Sequence, residues 1–250
     1  MIDTIMMIIR ITGMNRPIDI KLTFTVSPSL DVAGFNILSQ EIREGHSLYP
    51  NFVKFQERIG TIESNLILGD SNTELQKKVQ GFYSSHLNEI TEHCQKTSAQ
   101  WNFCKDKFLN ICDKLFSNKA FVETKDITAY PSLWNVYIHQ ITQRALSFPL
   151  AHDSLDEDES IYVVLHELLH LFFYQYAETE PSLNKRPDLW DIAEIFNSIV
   201  LNQNRFKVFY PKHTVTTYPS HLRIINKIKD SALKENDSAN IIIEKIIEHI

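Results

Sequence analysis

Over residues 18–27 apolar and polar positions alternate one for one, and the run ends at Ser27-Pro28. A period of two predicts a half-buried β-strand closed by a breaker. Residues 35–60 read as one or two helices, broken near Gly45 and Pro50. Residues 72–117 are long and polar, with Leu75, Val79, Phe82, Tyr83, Leu87 and Ile90 at helical spacing. Phe103, Phe108, Ile111 and Leu115 continue that spacing, which predicts two helices, read as an antiparallel pair. Between 120 and 149 the segments FVETKDITAYP, WNVYIHQ and ALSFPL are short and rich in β-formers, so a small sheet is expected. From Ser154 onward the pattern is helical, with breaks at 179–187, 203–219 and 235–238. The layout is α+β with helices in the majority. It divides into an N-terminal subdomain, 1–153, with helices and the small sheet, and a helical C-terminal subdomain, 154–250. Together they are read as one compact unit.

Charge narrows the partners. The net charge is −6 with a pI near 5.9. Lys and Arg are scattered among acids, so there is no basic stripe for nucleic acid. The run IMMII near the N-terminus is about half the length of a secretory core, and Arg10 cuts it off. Met14 offers an alternative start, with the residues before it read as a poorly ordered leader. No segment approaches the roughly 20 apolar residues of a membrane span. Cys94, Cys104 and Cys112 are an odd set without C-x-x-C spacing and read as reduced thiols. The cytoplasm is the expected compartment.

The chemistry is concentrated in 160–177, SIYVVLHELLHLFFYQYA. His166, Glu167 and His170 form an H-E-x-x-H motif. On a helix, residues four apart project from one face, so both imidazoles can reach one metal ion. Glu167, offset by one position, can accept a proton from water activated by that metal without being a ligand. Ser154-Leu-Asp-Glu157 is a capping-box pattern, and Asp156-x-x-Glu159 offers a second register. The helix is apolar nearly all round and so is expected to be buried. Two histidines and a glutamate there need partners, and a metal satisfies all three at once.

Catalytic zinc usually takes three protein ligands and a water. The extension that would supply a third histidine needs Gly at 173 and His at 176, where the chain has Phe173 and Tyr176. Downstream, 187–201 reads as a second helix, with Pro187 suited to its first turn and Glu194 among apolar residues. Asp191, one turn earlier, is the main rival for the third position, and Glu178 a weaker one.

On the motif helix and Glu194, the chain resembles the gluzincins, the thermolysin-like zinc peptidases, over roughly 140–225. The resemblance implies a zincin-like fold with a small mixed sheet above the motif helix. It also implies zinc (Zn2+) on His166, His170 and Glu194, Glu167 as general base, and hydrolysis of a peptide or protein substrate. Where the family often places an acid behind a ligating imidazole, this chain has Ser198, preceded by Asn197, either of which could hydrogen-bond an imidazole. The family's oxyanion donor, a His or Tyr beyond the third ligand, corresponds to His221 and then Tyr218. Its substrate strand, an edge strand before the motif helix, corresponds to ALSFPL, 145–150. Two alternatives stand beside this reading. One is a metallohydrolase acting on a non-peptide amide; the other is a zincin-fold binding or regulatory protein with little turnover.

Overall fold

In the computed structural model the described residues are 20–43, 49–60, 73–117, 126–134, 136–140, 144–215, 217–230 and 233–250. The alternative start at Met14, the IMMII run and the break at Gly45 lie outside them.

The alternating segment forms β1, Lys21–Phe24, followed by α1, Pro28–Arg43, and α2, Tyr49–Ile59. The polar stretch becomes α3, Thr73–Ser85, and the long α4, Leu87–Leu115. These two are not an antiparallel pair. Only His86 separates them, too short a link to reverse the chain. Instead α3 packs on α1 and α2, while α4 lies against β1, β2 and the motif helix. Two cores result. Phe35, Phe55, Val79 and Trp134 centre the smaller one, with Trp134 stacked on Phe55 at 4.3 Å. The larger one joins Trp101 and Phe108 of α4 to the motif helix and the helices after it. Cys94, Cys104 and Cys112 are buried free thiols on α4.

The sheet has strand order β1-β2-β4-β3, with β2 at Asp126–Ser132, β3 at His139–Gln140 and β4 at Ala145–Pro149. β1, β2 and β4 run parallel, and β3 closes on β4 antiparallel. This places ALSFPL inside the sheet, correcting its expected place at an edge. β4 is buried throughout, paired with β2 on one side and β3 on the other. Beyond β3 its open flank is closed by His93 of α4, whose Nε2–H donates to the Pro149 carbonyl (3.0 Å). The edge strand on this side is β3, and β1 lies at the other edge. A strand flanked on both sides and lying on a helix reads as a continuous apolar run, as ALSFPL does.

The motif helix, α5, spans Glu159–Thr179 and packs under β4 and β3. It starts later than the capping-box patterns predict, and its N-cap Asp158 makes no side-chain cap. Asp156 Oδ1 accepts the Asp158 N–H (2.9 Å) and Glu159 Oε2 the Leu155 N–H, and the acids there also hold the loop after Tyr210. Asp158 Oδ2 accepts the Lys212 N–H (2.9 Å), and His213 Nδ1–H donates to Asp156 Oδ2 (3.0 Å). After the short α6, Pro181–Asn184, comes α7, Leu189–Leu201, with Asp188 rather than Pro187 at its start. Then follow α8, Asn204–Lys207, a 3-10 turn at Pro219–His221, α9, Leu222–Asp230, and α10, Ala239–Ile247. α7 packs on α5, and α9 and α10 pack on α7. Among the described residues the chain is therefore mostly helical α+β with one small sheet. No helix among the described residues is long and apolar enough to cross a membrane.

Candidate metal centre

Four-residue spacing sets one face of α5. Tyr162, His166, His170 and Tyr174 follow one another along it. The two histidine Nε2 atoms lie 3.0 Å apart. Glu194 reaches them from the middle of α7, with Oε1 3.3 Å from His170 Nε2 and Oε2 3.9 Å from His166 Nε2. The three ligand atoms all lie within 4.8 Å of one another, the one such group among the described residues. Tetrahedral zinc with arms of about 2.05 Å separates its ligand atoms by about 3.3 Å, so the spacing fits. Two imidazoles and a carboxylate are a zinc donor set that leaves a fourth position for water or substrate.

The protonation states fit a cation as well. Burial, reinforced by His170, pushes His166 down to about 3. Burial drives His170 well below the usual imidazole range. Both rings are therefore neutral, the form that binds metal. Burial also raises the Glu194 carboxyl, with the neighbouring histidines opposing it. Without a cation, two carboxyls and two imidazoles are crowded into a largely buried site, which is costly.

Glu167 is buried next to this group, with Oε1 3.9 Å from His166 Nε2. Burial pushes its carboxyl up to about 7, against a hydrogen bond from His139 that lowers it. His139 Nδ1–H donates to Glu167 Oε2 at 3.0 Å. Its ring also stacks on His170 at 5.0 Å and lies 5.4 Å from Tyr174. His139, on the edge strand β3, is the main site residue that the sequence reading missed. Tyr162 and Tyr174 are two more, and their spacing from the histidines was the available signal.

The remaining candidates fall as follows. Asp191 accepts a hydrogen bond from His221 Nε2–H (2.9 Å) instead of facing the imidazole pair. Glu178 is exposed at the end of α5. His221 is buried, whereas Tyr218 is half-exposed and in ring contact with it at 5.5 Å. Burial, then the charges of Glu194 and Glu167, push the Tyr218 hydroxyl up to about 12. Neither Asn197 nor Ser198 holds an imidazole. Asn197 Nδ2–H donates to the His166 backbone carbonyl (3.1 Å), and the Ser198 hydroxyl to Thr217 Oγ1 (3.0 Å). Nδ1 of His166 and of His170 are both buried without a hydrogen-bond partner.

No family model, no curated protein and no solved structure matches this chain.

Proposed function

We propose that the chain is a zinc-dependent metallopeptidase of the gluzincin type, with a zincin-like fold. The observation that carries this is the approach of Glu194 from α7 to the His166–His170 pair on α5, with Glu167 alongside but outside the group. When bound, zinc would supply Lewis acidity and activate water for attack. His166, His170 and Glu194 would hold the ion. Glu167 takes the proton as water attacks the substrate carbonyl and passes it to the leaving amine. His139 orients the Glu167 carboxylate through its Nδ1–H. Tyr218 is the candidate donor to the developing oxyanion, because the Nε2–H of His221 is given to Asp191. β3, the open edge next to the site, is the strand along which an extended substrate would pair.

One observation favours a zincin-fold binding protein with little turnover. The two unpartnered Nδ1 atoms lack the outer hydrogen bonds that usually hold ligating imidazoles. One assay separates the readings. Zinc-loaded protein is incubated with a peptide library, and cleavage is read by mass spectrometry beside the Glu167→Gln variant. Cleavage that falls by about 10²-fold or more in the variant is the expected result, since general-base catalysis contributes on that scale. No cleavage by wild type across the library would leave the binding reading, and equal cleavage by both proteins would remove Glu167 from the mechanism.

A further inference from the structure

Two of the exposed large hydrophobic side chains among the described residues meet beside the metal centre. Trp190 is 50% exposed and Tyr218 48% exposed. Trp190 lies in the first turn of α7, four residues before Glu194, so both side chains leave the same face of the helix. Tyr218 lies within electrostatic reach of Glu194 and Glu167. Their ring centroids are 5.4 Å apart with planes inclined at 59°, which makes a corner, not a flat stack. His221 closes the base of the corner, 5.8 Å from Trp190 and 5.5 Å from Tyr218. It is buried and pinned to Asp191, so the corner has a rigid floor. Leu222, next in the chain, is also half-exposed. Other exposed hydrophobics, such as Phe103 and Leu87 on α4, lie on an element that does not contribute to the centre.

Exposed aromatics that touch each other at the mouth of a polar site lose contact with water when a third ring enters. An incoming ring can stack on one wall and meet the other edge-on, both favoured geometries. We propose that Trp190 and Tyr218 form a subsite for an aromatic or large apolar side chain of the substrate, adjacent to the bond being cleaved. This rests on the reading of the centre as a zinc peptidase site. It assigns Trp190 to specificity and gives Tyr218 a role for its ring that is separate from its hydroxyl.

Two probes test it on zinc-loaded protein: acetohydroxamate, which binds metal but carries no side chain, and N-acetyl-phenylalanine hydroxamate. Affinities are measured by calorimetry. The phenylalanyl probe should bind about tenfold more tightly or better. Trp190→Ala should remove most of that preference while leaving acetohydroxamate affinity unchanged, and Tyr218→Phe, which keeps the ring, should retain it. Wild-type fluorescence gives a reading that needs no variant. Of the three tryptophans, Trp101 and Trp134 are 2% and 1% exposed, so acrylamide quenching reports Trp190. The phenylalanyl probe should protect it and acetohydroxamate should not. Equal affinities in wild type, a preference that survives Trp190→Ala, or quenching that neither probe alters would overturn the subsite while leaving the metal centre standing. Failure of acetohydroxamate itself to bind would refute the metal-centre reading, and the subsite with it.

Discussion

Replacing Asp31 with asparagine should change how stability depends on pH. Asp31 lies in the first turn of α1 with no solvent exposure. Its Oδ1 accepts the Ser132 hydroxyl (2.6 Å) and its Oδ2 the Leu133 N–H (2.9 Å). Tyr83 Oη lies 2.7 Å from Oδ2 and 2.6 Å from the Pro131 carbonyl oxygen. A phenol has one proton and a carbonyl can only accept. When Tyr83 donates to Pro131, its contact with Asp31 therefore requires a proton on the carboxyl. Burial accordingly pushes Asp31 up to about 6 from 3.8, against the hydrogen bonds and the Arg58 charge that oppose it. Because the folded value lies above the unfolded one, the protonated acid stabilises the fold at low pH. That contribution is lost as pH rises from about 4 to about 6. A shift of about two units is worth about 3 kcal/mol in full, and about 2 kcal/mol of it falls between about pH 4.5 and pH 8. Asparagine keeps the Leu133 and Tyr83 bonds with its oxygen and can donate to Ser132 with its nitrogen. It then loses about one hydrogen bond, or about 1 kcal/mol. In urea unfolding, the difference between wild type and Asp31→Asn cancels every other titrating group. Wild type and variant should be about equally stable near pH 4.5, and the variant should be the more stable by about 2 kcal/mol near pH 8. A difference that stays constant across that range would refute a protonated Asp31.

Loss of the imidazole donor in His139→Ala should lower kcat about tenfold with little change in zinc affinity, because a hydrogen bond to a charged group is worth about 1.5–3 kcal/mol. The His139→Asn variant, whose side-chain amide places an N–H near the position of Nδ1, should recover much of the rate; a full rate in His139→Ala would show that Glu167 needs no such partner. Zinc at about a thousandfold over its Kd should stabilise chelator-treated protein by about 4 kcal/mol, and so raise Tm by roughly 10 °C. Magnesium, a poor match for two imidazoles, should not; equal shifts with both ions would deny the site its selectivity.

The local parts of this molecule were legible in the sequence. The spacing of His166 and His170 marks one helix face, and the apolar residues around Glu194 mark a buried stretch of a second helix. Both inferences need only the helical period. What escaped depends on contacts between distant segments. β1 pairs with β2 across about a hundred residues, and although the apolar run of ALSFPL suits an interior strand, its two partners lie outside it in the chain. The acids before α5 suit a cap by composition, and Asp156 and Glu159 do accept backbone N–H groups there, but the bonds to Lys212 and His213 come from a distant loop. His139 looks like any polar residue in a short strand until the sheet lays it across Glu167 and His170. The one-residue hinge at His86 was hidden for another reason, since the apolar spacing runs through it without interruption.

The most direct test is the metal content of the purified protein, measured by mass spectrometry for wild type, His166→Ala, Glu194→Ala and Glu167→Gln. The account predicts about one zinc per chain in wild type and in Glu167→Gln, and loss of zinc from the two ligand variants. Wild-type protein that holds no zinc and takes none up on titration would contradict it.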